Sequence, residues 1–443
     1  MEDLDEAALQ ACEAVEAELN LIHGVLGGGP ERPAVLLQLG RLGMAAGLNE
    51  RAEELLRECT ECAPLMPEAW FDRGLACSFL NREEEAVEFL SKALTWQPGL
   101  PEGAFRLAQA LQGLGRNREA LEWYQKVGYE SVYCAKARQN EALIALQCGD
   151  FEAGWQGYEH RWDENPAMQK RPFESPLWSG GESLAGKSLL LHAEQGLGDT
   201  LQFLRYARLC KGLGARLYLE VQAPLKRLVQ AGGFSVETLA YGEPLPAHDF
   251  HCPLCSLPLA FWRRGVQHIP NAVPYLKSSG DGSDALMLVR AAHRNVRVGV
   301  AWQGNPLHPR NRQRSIPSEI FRGLFKAANC SFFGLQMRPE AGPEISAAGG
   351  DFTDLSPYIR DFADTASIVQ ALDLVVCVDT SLAHLSGALG RPAWVLLPLH
   401  ADWRWGLEGE RSEWYPSARL LRQARRGDWG ELVERAAAGL ERL

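Results

Sequence analysis

A spacing of 34 residues runs through the first third of the chain. Gly40, Gly74, Ala108 and Ala142 fall on it, as do Ala52, Ala86, Ala120 and Gly154, and Pro64 and Pro98 mark it once more. A fixed period of this length builds arrays in which each unit buries its apolar face only against its neighbours, which constrains the segment to a helical solenoid. Small residues recur where two helices must touch, and the prolines stand where a unit closes, because proline cannot continue a helix. Leu4, Ala8, Cys12, Val15 and Leu19 lie near helical spacing, which predicts a capping helix ahead of the Gly27-Gly28-Gly29-Pro30 break.

The unit from Glu68 to Gly99 resembles a tetratricopeptide repeat, with Trp70, Gly74, Ala86, Phe89, Ala93 and Pro98 each at that family's place. On this reading residues 1–30 hold the capping helix and 31–162 hold about four repeats. The stretch 163–184, with Asn165-Pro166, Arg171-Pro172, Ser175-Pro176 and Gly180-Gly181, reads as a linker.

From Ser188 the grammar changes to strand, turn, helix. Ser188 to Ala193 and Ala215 to Val221 read as strands flanking a helical stripe over Asp199 to Leu213, and the alternation restarts at Val296 to Trp302. Phe332 to Leu335, Leu374 to Val378 and Ala393 to Leu397 continue it. Two parallel-sheet lobes follow, over 185–285 and 286–443.

A length of 443 residues calls for several domains, and 46% apolar with 23% charged residues excludes disorder. The net charge of −11 argues against nucleic acid or an anionic membrane as the main partner. No run reaches the length of a membrane span, and Met1-Glu2-Asp3 lacks the basic start of a signal peptide. Eleven cysteines at scattered spacings suit a reducing compartment, so the expected location is the cytoplasm.

Two turns carry the chemistry. Glu194-Gln195-Gly196-Leu197-Gly198-Asp199-Thr200 is a glycine-rich turn between strand and helix, at the carboxyl edge of the sheet where open α/β folds bind ligands. Asp199 with Gln202 three residues on also matches a capping box, a purely structural use. Val378-Asp379-Thr380-Ser381-Leu382-Ala383-His384 follows an apolar strand and opens a helix that Gly390 closes. Its helix-start N–H groups with the Thr380 and Ser381 hydroxyls suit a pyrophosphate, and His384 adds a hydrogen bond one turn on. Asp379 would repel such an anion and reads as an N-cap or turn residue; a structural cap is also the alternative for the whole motif.

The segment Gln303 to Ser315 carries Arg310, Arg312 and Arg314, whose planar forks match a diphosphate; a solvated basic loop is the plain alternative. His248, His251, Cys252 and Cys255 are zinc-type residues without a second pair at finger spacing, so no metal site is expected.

Taken together, Glu194 to Thr200, Ala301-Trp302-Gln303-Gly304-Asn305, Arg314-Ser315-Ile316-Pro317, Asp361-Phe362-Ala363-Asp364-Thr365, Asp379 to His384 and Asp402-Trp403-Arg404-Trp405 make the second part of the chain resemble the bacterial tetratricopeptide-linked glycosyltransferases. These are relatives of heptosyltransferases and, remotely, of O-GlcNAc transferases. The resemblance implies a helical tetratricopeptide solenoid followed by a GT-B fold of two Rossmann-like lobes, acceptor on the first and nucleotide sugar on the second. Asp199 would be the general base, with Glu194, Gln195, Gly196, Gly198 and Thr200 on the substrate side. Gln303, Gly304, Asn305, Arg312, Arg314, Gln336, Asp379, Thr380, Ser381 and His384 would hold the donor nucleotide and phosphates. No metal or cofactor is implied beyond the nucleotide sugar as co-substrate. The acceptor implied is a protein hydroxyl recruited by the repeats, flagellin being one candidate; a saccharide acceptor and an inactive binding scaffold are the alternatives.

Overall fold

The computed structural model describes residues 2–25, 27–164, 171–234, 236–278, 280, 284–292, 296–308, 310–337 and 351–443. The side chains of Leu4, Ala8 and Cys12 and the pair Asn165-Pro166 lie outside the described residues. Two compact units form: Met1–Ile144 with Asp163–Asn165, and Ala145–Trp162 with Pro166–Leu443.

In the first unit the helix Glu2–Val25 precedes three helix pairs: Arg32–Ala45 with Asn49–Cys62, Pro67–Phe79 with Glu83–Trp96, and Pro101–Gly113 with Asn117–Tyr124. The helix Cys134–Gln147 follows, and the division between units falls inside it. Pro67 and Pro101 each open a helix, where the missing N–H has no partner to lose. The 34-residue period has a steric cause. A Cβ on Gly40 would stand 2.5 Å from Leu56 Cγ, and one on Gly74 would stand 2.7 Å from Leu90 Cγ, so both pairs close only on glycine. Leu19 packs with Leu36, Leu37, Leu55 and Leu56 in one core, and Phe89, Leu90, Phe105, Leu111 and Tyr124 belong to the next. Cys59 is buried in the first of these cores.

The second unit holds two parallel sheets. The first runs β3-β2-β1-β4, with β1 Ser188–His192, β2 Arg216–Val221, β3 Glu237–Ala240 and β4 Phe250–Pro253. The second runs β10-β9-β8-β5-β6-β7, with β5 Val296–Ala301, β6 Cys330–Gly334, β7 Phe352–Asp354, β8 Leu374–Val378, β9 Ala393–Leu397 and β10 Ala418–Arg422. Every residue of β6, β8 and β9 is buried, as parallel strands covered on both faces require. The chain thus adopts the expected succession of a helical repeat solenoid and two Rossmann-like lobes of GT-B type. Among the described residues no helix is long and apolar enough to cross a membrane.

Three details differ from the sequence reading. The stripe over Asp199 to Leu213 is two helices, Leu197–Phe203 and Arg205–Gly212, separated at Leu204. The described part of the linker, from Arg171 on, is packed structure: Trp178 is fully buried, its backbone N–H donates 2.8 Å to His251 O, and its indole donates to Glu182 O. Leu177 thereby bridges to the edge of β4. The helix Phe151–Tyr158, counted with the repeats by its spacing, lies in the second unit. There Trp155 sits edge-on among Phe203, Trp403 and Trp414 at 5.6–6.2 Å between ring centres.

The two lobes touch through charged side chains as well as rings. Arg227 of the first forks onto Asp361 at 2.7 and 2.9 Å and reaches Asp364 in the second. Buried Arg205 donates 2.8 Å to Trp414 O.

Candidate functional site

The glycine-rich turn runs out of β1 into the helix Leu197–Phe203, and nearly every polar group in it is engaged. Glu194 turns away from the cleft and pairs with Arg161 at 2.9 Å, both side chains almost wholly buried at 4% and 0% exposure. Burial pushes the Glu194 carboxyl upward and the Arg161 charge opposes it. Arg161 also meets Glu159 at 2.7 Å and donates to Ser256 Oγ. The Tyr158 hydroxyl donates to Gln195 Oε1 at 3.0 Å. Thr200 is buried and donates to Gln222 Oε1, while Gln222 Nε2 donates 2.7 Å to Gln195 O.

Asp199 is used twice. Its Oδ2 accepts from Gly196 N at 2.9 Å, and its Oδ1 accepts from Arg404 Nη2 of the other lobe. The capping reading therefore needs a shift of register. Gly196 is the N-cap and Asp199 the third helical residue that reaches back to it, while Gln202 instead accepts from Arg404 Nε at 2.7 Å. With both oxygens restrained, the carboxylate keeps a fixed direction, and each oxygen retains a second lone pair for another donor.

The turn after β8 is built in the opposite way. Thr380, not Asp379, is the N-cap of the helix Ser381–Ala388, and its side chain makes no capping bond. The Thr380 hydroxyl is buried without a partner, and the first N–H groups of a helix have none within it. This end is therefore an open set of donors with the positive end of a helix behind it. His384 lies one turn in, its Nδ1 2.8 Å from the Tyr415 hydroxyl and its ring stacked on Trp405. Burial, reinforced by nearby Arg404, lowers His384 to about 3, so the ring is neutral at pH 7. A Cβ on Gly198 would come within 2.9 Å of His384 Cδ2, so the second glycine lets the two turns meet.

Between the turns lies a cavity of about 590 Å³ at the carboxyl edges of both sheets. Gln195, Gly196, Gly198, Asp199, Gln303, Gly304, Asn305, Arg314, Gln336, Asp379, Thr380, Ser381 and His384 line it, all of them residues singled out from the sequence. Glu194, Thr200 and Arg312 do not. The first two are consumed by the internal bonds just described. Arg312 is exposed, because in the short helix Asn311–Arg314 a residue two positions from Arg310 and Arg314 faces the other way, whereas those two, four apart, share a face and both line the cavity. Gly304 leaves room for Arg314, whose Nε would lie 2.7 Å from an added Cβ and would have to shift. Arg314 Nη1 donates 3.0 Å to Asp379 O, tying the basic segment to the open turn. Gln336 braces the end of β5, its Oε1 accepting from Trp302 N and Gln303 N.

The sequence reading missed Gln222, His308, His400, Asp402 and Arg404 as lining residues, and it named Arg310 only as one of three arginines on the basic segment. Arg404 is the most connected of these, and only its membership of Asp402-Trp403-Arg404-Trp405 marked it beforehand. Burial works against the Asp402 charge, yet Arg404 outweighs it and holds the carboxyl low. Asp379 lacks such a partner. Burial, then the charge of Asp402, raises it to about 6 against the opposing pull of Arg314. The zinc-type residues lie elsewhere: His251 stacks on Phe173 at 4.2 Å with its Nδ1 3.3 Å from His192 Nε2, and Cys252 and Cys255 are buried.

A tetratricopeptide repeat family model matches residues 67–99, so such a repeat is present in the solenoid. Over 339 residues the chain is 25% identical to Protein FlbA of Caulobacter vibrioides, covering 68% of this chain and 54% of that one. The chain thus spans about half the length of that curated relative. Among solved structures, a glycosyl transferase family 9 protein from Veillonella parvula is 10% identical, with 59% of this chain and 98% of that chain covered and a TM-score of 0.43. A MamA protein is 18% identical, with 39% and 98% covered and a TM-score of 0.32.

Proposed function

We propose that the second unit transfers a sugar from a nucleotide-sugar donor to an acceptor hydroxyl. The observation that carries this reading is the pairing of unlike turns across one cavity, a carboxylate held rigidly on one side and an uncapped helix start with two arginines on the other. The helix N–H groups, the Thr380 hydroxyl, Arg310 and Arg314 would receive the donor diphosphate and stabilise it as leaving group, which is why the transfer is expected to run without a metal ion. Asp199 would take the proton from the acceptor oxygen as the bond to the anomeric carbon forms. Gly198, Gly304 and Gln336 shape the walls.

The acceptor is most simply a Ser or Thr hydroxyl of a protein, flagellin among the candidates, brought by a repeat solenoid of the kind that presents extended surfaces to peptides. The reaction would take place in the cytoplasm. The test uses the full chain in EDTA with a panel of nucleotide sugars, reading melting temperature for donor binding and the mass of co-expressed proteins for transfer. A donor that stabilises the protein and a sugar-sized mass increase on an acceptor are expected. Sugar found only on saccharides moves the acceptor assignment, and stabilisation only with added metal overturns the anion site.

A further inference from the structure

The guanidinium of Arg404 is shared between the lobes. Its Nε donates to Gln202 Oε1 at 2.7 Å and its Nη2 to Asp199 Oδ1, both on the first lobe's helix Leu197–Phe203. Its Nη1 donates 2.7 Å to Asp402 Oδ1 of its own lobe, which also accepts from the Arg404 backbone N–H. The group lies over the Trp403 ring at 4.4 Å from the centroid. Its short supporting turn, Trp403–Trp405, is anchored by two buried indoles, one against Trp155 and Trp414 and the other against His384. The side chain is 12% exposed, and that of Asp199 19%.

We propose that Arg404 is the positioning residue of the reaction, a clasp that fixes the direction of the Asp199 carboxylate only while the two lobes are closed on each other. The inference rests on the glycosyl-transfer reading for its kinetic consequence but not for its structural one. Asp199 has two restraints. Gly196 N belongs to the same turn and moves with it, so among the described residues only Arg404 hydrogen-bonds the carboxylate to the lobe that would hold the donor. A fork engaging three side chains at fixed angles does this; an ammonium of equal charge cannot hold all three in those directions. Arg404 also offsets the charges of Asp199 and Asp402 beside an anion site, so loss of charge and loss of direction must be separated.

Arg404→Lys separates them. It keeps the positive charge, so donor affinity should stay within about threefold, whereas turnover should fall by about 10- to 100-fold, the scale on which misdirected reacting groups cost rate. Arg404→Ala should lose both, and millimolar methylguanidinium should restore part of its turnover. Independently of any activity, amide exchange at Gly196 to Thr200 should accelerate in Arg404→Lys. Gln202→Leu, which removes one arm and no charge, should show the same exchange change and a smaller loss of turnover, and it decides the matter if the Arg404 variants do not fold. Wild-type turnover or unchanged exchange in Arg404→Lys overturns the clasp. No transfer by the wild-type chain with any donor overturns the glycosyl-transfer reading instead, and the exchange result still judges the clasp.

Discussion

The turns at 194–200 and at 379–384 have the same local grammar, an apolar strand running into a helix, yet they treat their polar groups oppositely. In the first, Gln195, Asp199 and Thr200 are bonded within the protein, and Glu194 is bonded through Oε1 while its Oε2 is buried without a partner. In the second, the helix start is uncapped and the Thr380 hydroxyl is unpartnered. A saturated turn has few directions open to it and can hold one group in place. An open turn keeps unspent donors, whose desolvation is offset only when something negative arrives.

If saturation is what makes the first turn rigid, its deepest bond should matter most for stability. Arg161→Met takes the cation from Glu194 and Glu159, leaving them only the Cys255 N–H and the Ser256 hydroxyl respectively, so unfolding free energy should fall by about 3–5 kcal/mol, as for other broken buried pairs. Urea unfolding followed by tryptophan fluorescence measures it. A loss under about 1 kcal/mol would mean the pair is solvated and the turn is held otherwise. The same bond decides where the repeats can be cut away. A truncation after 162 removes Trp155, Tyr158 and Arg161 from the second unit, whereas one after Ile144 spares them.

The chemical counterpart is Asp199→Asn. The amide oxygen can still accept from Gly196 N, so the turn should survive, but proton transfer is lost, and with it the bond that Oδ1 accepts from Arg404. Turnover should fall about 100-fold or more while donor affinity holds, the signature of an interaction made in the transition state. Near-normal turnover in a steady-state assay would return Asp199 to its capping role alone.

How far these features could be read beforehand depends on how local they are. The 34-residue period survives in the sequence because Gly40 against Leu56 and Gly74 against Leu90 repeat one contact at one spacing. Buried strands such as β8 and β9 announce themselves as uninterrupted apolar runs. By contrast β7 is three residues long, β4 ends in Pro253, and the Pro and Gly pairs on either side of Trp178 look like linker although that indole is fully buried. Arg404 meets Asp199 across 205 positions, a relation no spacing encodes. The choice between Arg310 and Arg312 turned on the sense of one helical turn that sequence alone does not phase.

The open turn can be tested through its backbone. Ser381 is the first helical residue, and Thr380 before it is extended at φ −142° and ψ 173°, so Ser381→Pro suits the helix while deleting one N–H. Donor affinity should drop about tenfold relative to Ser381→Ala, the scale of a hydrogen bond to a charged group, with melting temperature unchanged. Equal affinities in the two variants, by calorimetry, would mean the diphosphate does not use this helix end.

The smallest effect concerns the carboxyl group that the open turn carries. Asp379 stands at about 6 through burial and the neighbouring charge of Asp402, so a fraction of it is protonated near neutrality. A diphosphate entering the cavity adds negative charge and favours the protonated form, so binding takes up protons and affinity falls as pH rises through about 6 and just above, by at most about tenfold per unit. The diphosphate of a nucleotide sugar does not titrate in this range, so the slope belongs to the protein. Calorimetry from about pH 5 to about 8, in buffers of different ionisation heat, counts the protons, and Asp379→Asn should flatten the slope and strengthen binding above pH 7. The stability sign runs the same way. A carboxyl raised in the folded state above its ordinary 3.8 binds its proton more tightly there, so stability declines from about pH 4 to about 6 and is level beyond, where Asp379→Asn should exceed wild type. If Asp379→Asn keeps the wild-type slope, the proton resides on another group lining the cavity, and His308, itself lowered by burial and by Arg314, is the next to replace.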